Sequence, residues 1–62
     1  MFKTGDEVKI NFVDLDDMMK GITPGDEATV VESDEDSDNL TFVDIPQKKI
    51  FYYCVDVKQL KR

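Results

Sequence analysis

Residues 27–55 read Glu-Ala-Thr-Val-Val-Glu, Ser-Asp-Glu-Asp-Ser-Asp-Asn, Leu-Thr-Phe-Val-Asp-Ile, Pro-Gln-Lys-Lys, Ile-Phe-Tyr-Tyr-Cys-Val. Three short apolar, β-branched or aromatic runs are separated by one wholly polar run and one proline-led turn. Runs of this length and composition, bounded by turn residues, are the signature of strands joined by hairpins. In residues 27–32, Ala28 and Val30 share one face, and Thr29 and Val31 the other. Residues 33–39 contain no apolar side chain and are expected as an exposed hairpin loop. Pro46 cannot donate to a ladder, so the third run must stop there. The fourth run, residues 50–55, has apolar residues in both alternating sets, which implies partial cover on both faces.

Working outward, Val8, Ile10 and Phe12 alternate with Lys9 and Asn11. This is a half-buried strand over residues 6–13, opened by the turn Thr4-Gly5-Asp6. The alternation breaks at Asp14. Residues 14–20 are too short for an independent helix and are expected as a structured loop. A single helical turn through Met18-Met19, capped by Asp14 or Asp16 and ended by Gly21, is the most helix they can hold. Thr23-Pro24-Gly25-Asp26 is a turn, because Pro presets one backbone angle and Gly accepts a positive one. After the fourth run, residues 56–58 fit one 3-10 turn, and Leu60 anchors a short closing strand. Short strands with turn signals every 8–12 residues predict an all-β fold: a small five-stranded barrel with a long first loop and a 3-10 turn before the last strand.

The 62 residues allow one domain with a small core. A single Cys and no His exclude an internal disulfide and the usual structural zinc sets. No apolar run approaches a membrane span, and the start Met-Phe-Lys-Thr-Gly lacks a secretory apolar region. Fourteen acidic and eight basic residues give a net charge of −6. The charge is unevenly spread. Residues 14–44 carry eleven acids against Lys20, while residues 45–62 carry Lys48, Lys49, Lys58, Lys61 and Arg62 against Asp56.

The stretch Gly5-Asp6-Glu7-Val8-Lys9-Ile10, followed by Lys20-Gly21 and Pro24-Gly25-Asp26-Glu27-Ala28-Thr29-Val30, resembles small bacterial and phage SH3-like barrels. The G-D-x-V-x-I opening and the G-x-x-A-x-V second strand are similar to KOW-type domains. The ending Tyr53-Cys54-Val55, Val57 and Leu60 is similar to their last strand, 3-10 turn and closing strand. The resemblance spans nearly the whole chain and implies a five-stranded SH3-like barrel. The Ala-Leu-Tyr-Asp-Tyr box and the ligand-stacking Trp of eukaryotic SH3 domains are absent. So is the basic character of nucleic-acid-binding KOW domains. The resemblance therefore implies fold more than ligand.

Catalysis needs a base, nucleophile or metal in a concave site. With no His, and with Ser33 and Ser37 in an acidic loop, the chain is expected not to be an enzyme and to need no cofactor. Asp34, Asp36 and Asp38 stand at the first, third and fifth positions of a calcium-loop pattern. Asn39 replaces its Gly and Ile45 its bidentate Glu, so no metal site is expected. Cys54, mid-strand, is expected as a small buried hydrophobe, and its unpaired state suits a reducing cytoplasm.

Two surfaces remain. Leu15, Met18 and Met19 among Asp14, Asp16 and Asp17 have the make-up of an apolar anchor in an acidic rim, as protein interfaces often do. The same apolar residues could instead close the end of the barrel, with one Met as a plug. With Asp34, Glu35, Asp36 and Asp38, this acidic middle points to a basic protein partner, or to imitation of nucleic acid by an inhibitor. The alternative surface is Lys48, Lys49, Tyr52, Lys58, Lys61 and Arg62, where cations beside an aromatic side chain can contact phosphates and bases. The net negative charge weighs against it. The expected protein is a cytoplasmic, non-enzymatic binding module of bacterial or phage type. It should be a monomer or weak homodimer without a membrane partner, with weak nucleic-acid binding through the basic C-terminal face kept only as the alternative.

Overall fold

The computed structural model describes residues 2–33 and 39–62. Five antiparallel strands form one sheet: β1 (Glu7–Ile10), β2 (Glu27–Ser33), β3 (Leu40–Ile45), β4 (Ile50–Asp56) and β5 (Leu60–Lys61). Their order is β4-β3-β2-β1-β5, an open sheet with β4 and β5 at its edges. A five-residue helix, α1 (Leu15–Met19), sits in the long connection between β1 and β2. Short 3-10 turns follow β3 (Pro46–Lys48) and β4 (Val57–Gln59). The protein is thus the small all-β domain its alternation implies, with a 3-10 turn before the last strand.

The sheet curls over one face. Val8 and Ile10 of β1, Ala28 and Val30 of β2, and Val43 and Ile45 of β3 are all buried. Val55 from one edge strand and Leu60 from the other enter the same cluster. Ile22, 1% exposed, adds a core residue from the long connection. Side chains on one face of a flat sheet could not meet from both edges. Two irregularities supply bending, as bulges do. The β2–β3 register shifts between Val30 and Glu32. The β3–β4 register shifts between Val43 and Ile45: Val43 pairs with Tyr53 and Ile45 with Ile50, so Phe51 and Tyr52 together oppose Asp44 alone.

Three sequence expectations change. The first strand ends at Ile10 rather than residue 13, because the Asn11 N–H donates to the Gln59 carbonyl at 2.5 Å; Phe12 is half exposed. In β4 only Val55 is buried, so the two-sided cover expected there is not formed. Cys54 pairs with Phe42 across the ladder and is exposed, not a core residue. The turn at residues 23–26 forms as Pro24 and Gly25 require. Gly25 takes φ 94°, the Asp26 N–H donates to the Thr23 carbonyl, and the Asp26 carboxylate accepts from the Thr23 N–H and hydroxyl at 3.0 Å.

Candidate interaction surfaces

Residues 14–20, expected as a structured loop, hold α1 because one local and two distant donors converge on the Asp17 carboxylate, while the Asp17 N–H is capped in return by Asp14. Asp14 is the N-cap. Its Oδ1 accepts from the Asp17 N–H at 2.9 Å, while the Asp14 N–H donates to Asp17 Oδ2 at 3.3 Å, a reciprocal capping box. Such a cap adds roughly 1 kcal/mol, which alone does not hold five residues helical. The remainder is tertiary. Asp17 Oδ1 accepts a hydrogen bond from the Tyr53 hydroxyl of β4, and Oδ2 accepts one from Gln59 Nε2 at 2.6 Å. Gln59 Nε2 also donates to the Phe12 carbonyl at 3.2 Å. Gly21 leaves the helix with φ 90°, its N–H donating to the Met18 carbonyl.

Asp17 therefore does not belong to an acidic rim. It is 4% exposed and ties α1 to the sheet. Burial pushes its carboxyl pKa upward, but hydrogen bonds from Tyr53, Gln59 and Asp14 outweigh that and hold it below the ordinary carboxylate value. Burial and the neighbouring Asp17 carboxylate push the Tyr53 hydroxyl upward. The Lys20 ammonium lies 5.9 Å from the Tyr53 ring centroid, within cation–π range.

With Asp17 turned inward, Leu15, Met18 and Met19 turn outward, at 71%, 59% and 79% exposure. Their i, i+3, i+4 spacing puts them on one helical face. Neither methionine plugs the end of the sheet, and the closing role for all three is excluded. Asp14 and Asp16 are exposed on the same helix start. Asp34, Glu35, Asp36 and Asp38, the other half of the expected acidic surface and the residues of the calcium-loop pattern, lie outside the described residues.

The alternative basic set is not gathered into one patch. Lys49 stands before β4 and Lys58 after it, and a seven-residue strand separates its ends by roughly 20 Å. Lys48 is ion-paired to Asp26 at 3.8 Å, and Arg62 to Asp6 at 2.9 Å, with its guanidinium 5.2 Å from the Phe2 ring centroid. Lys61 is in register with Lys9. A groove of about 410 Å³ beside Arg62 is lined by Glu7, Glu27 and Gln47 as well as Lys9. It has mixed charge and is ill-suited to a phosphate chain.

Tyr52 occupies a setting that its sequence context does not reveal. Its φ is 53°, the left-handed region that non-glycine residues seldom enter. The Asp44 carboxylate accepts its N–H at 2.8 Å, its ring stacks on Phe42 with centroids 4.6 Å apart and planes 11° apart, and its hydroxyl donates to Glu32. The Glu32 contact raises the Tyr52 pKa. A Gly or Asn at this position would have signalled the left-handed turn; Tyr does not.

Among the described residues, no group of three or more His, Cys, Asp or Glu is placed to hold a metal ion. No described helix is long and apolar enough to cross a membrane. Comparison with protein-family models, curated proteins and solved structures yields no match.

Proposed function

We propose that this chain is a non-enzymatic protein-binding module that seats a basic partner on the α1 face. The observation that carries the reading is the outward exposure of Leu15, Met18 and Met19 on a helix anchored from beneath by Asp17. Three large apolar side chains on five residues are costly to leave in water, and flexible methionines adapt to a partner's contours. Asp14 and Asp16 beside them select positive charge. The strand order and the turns at residues 5 and 25 support reading the fold as an SH3-like barrel of the bacterial and phage type. The exposed Cys54 thiol suits a reducing cytoplasm, where we place the protein.

A photo-crosslinking residue at position 19, with a second placed at position 49 as a control, tests the reading in bacterial lysates. The expected result is a basic protein crosslinked from position 19 and not from position 49. It should be lost when Leu15 and Met18 are replaced by Ser. Equal yields from the two positions, or crosslinks indifferent to the Ser substitutions, overturn it.

A further inference from the structure

A second surface lies on the outer side of the sheet and stands independently of the α1 reading. Tyr52 is 56% exposed although one face of its ring is covered by Phe42, so its other face is open to solvent. Carboxylates occupy both ends of this residue: Asp44 at its backbone N–H and Glu32 at its hydroxyl. Both described partners are hydrogen-bond donors of Tyr52 itself, which leaves each carboxylate with further lone pairs to offer. Glu32 is in register with Phe42, so the acid and the aromatic pair share one side of the β2–β3 ladder.

We propose that this platform binds an arginine side chain of a partner protein, the guanidinium stacking on the open face of Tyr52 between Glu32 and Asp44. The chemistry favours guanidinium over other ligands. A planar cation gains from the face of an aromatic ring and, at its edges, donates to carboxylates. A nucleobase could also stack there, but its phosphates would meet a carboxylate at either end of the residue. A lysine ammonium would feel the charge without the planar stacking. The left-handed backbone of Tyr52 matters because it lifts two residues out of the ladder opposite Asp44, and so brings the ring over Phe42.

Titration of the isotope-labelled protein with blocked hexapeptides containing arginine, lysine or citrulline, followed by amide NMR shifts, tests this directly. The arginine peptide should move the signals of Glu32, Phe42, Asp44 and Tyr52, and bind about tenfold more tightly than the citrulline peptide, with lysine between. Tyr52→Gly, which suits the left-handed backbone, should weaken arginine binding at least about fivefold; Tyr52→Phe should leave it within about twofold. Glu32→Gln provides a second, fold-preserving variant and should also weaken it. Several outcomes overturn the proposal. Citrulline or lysine could bind as well as arginine, or Tyr52→Gly could bind as well as the parent. The shifts could centre elsewhere, or oligothymidylate could move the same signals. The same signals could also move with protein concentration alone, which would assign the platform to a second copy of the chain.

Discussion

Tyr53 in β4 donates its hydroxyl to the carboxylate of Asp17 in α1, 36 residues earlier in the chain. This contact joins an edge strand to α1, which displays apolar side chains, and Gln59 completes it from the turn before β5. The local sequence of α1 is not enough to keep five residues helical, so the display depends on a partner far away in sequence.

Removing that carboxylate should cost more than removing either donor. Asp17→Ala leaves the Tyr53 hydroxyl without its acceptor and Gln59 Nε2 with the Phe12 carbonyl alone, in a part-buried setting, and removes the half of the capping box that the Asp17 side chain supplies. A loss of about 2–3 kcal/mol is expected. Tyr53→Phe should cost about 1–2 kcal/mol, since a carboxylate retaining other donors is easier to satisfy. In a domain this small each kcal/mol moves the thermal midpoint by roughly 4–8 °C, so melting curves separate the two. The double variant should cost less than the sum of the singles, because both break one hydrogen bond. Additivity would show that the two side chains act separately.

The pH profile of stability should be a plateau with two falling edges. Asp17 and Asp6 both hold protons less readily when folded than when unfolded: Asp17 through the hydrogen bonds that outweigh its burial, Asp6 through the Lys3 N–H and the Arg62 guanidinium. Their stabilisation is therefore complete above a pH of about 4 and lost as pH falls below it, through the folded values. The tyrosines act in the opposite direction. Tyr53 and Tyr52 ionise later in the fold than in the unfolded chain, so their contribution is complete below a pH of about 10 and lost above it. With no His in the chain, stability should be flat between about pH 5 and 8. Denaturant titrations across the range check this. Tyr53→Phe should flatten part of the alkaline edge; an unchanged edge would remove Tyr53 from the account.

Lys49 ends the first 3-10 turn with φ 57°. Glycine reaches that region without the crowding a Cβ brings, so Lys49→Gly should stabilise the protein by about 0.5–1 kcal/mol after the entropy of the unfolded chain is counted. Thermal melting of the variant checks this, and a lowered midpoint would mean that the lysine side chain makes a contact outweighing the strain.

Much of the fold was legible in the sequence, and the reasons are local. Residues 40–45, an apolar run between a polar loop and Pro46, become β3 with those bounds, and Ala28 and Val30 share the buried face as their spacing requires. Pro24-Gly25 specifies its own turn. What was not legible depends on residues distant in sequence or on backbone states that side chains do not advertise. Cys54 looks like a core residue among aromatic and aliphatic neighbours, yet its face is decided by pairing with Phe42, after a bulge that nothing in residues 50–55 announces. Asp17 looks like one of three equivalent acids near Met18, and only the approach of Tyr53 and Gln59 distinguishes it from Asp14 and Asp16. The apolar face of α1 was legible as composition, but its outward direction follows from Asp17 pointing inward.

The last expectation separates charge from apolar contact on the α1 face. Met19 is 79% exposed, so Met19→Ala should change folding stability by no more than about 0.5 kcal/mol. If a partner seats on Leu15, Met18 and Met19, the same substitution should raise its off-rate at any salt concentration, because the loss is one of buried area. Asp16→Asn should act on the on-rate instead, since an exposed carboxylate steers a basic partner over distance. Raising ionic strength from about 0.05 M to about 0.5 M shortens the screening length from roughly 14 Å to roughly 4 Å by its inverse-square-root dependence. The parent's on-rate should then fall towards that of the Asn variant. Surface-plasmon or stopped-flow kinetics with the crosslinked partner would read both rates. An off-rate unmoved by Met19→Ala would take the anchor away from α1, and an on-rate indifferent to salt would remove the requirement that the partner be basic.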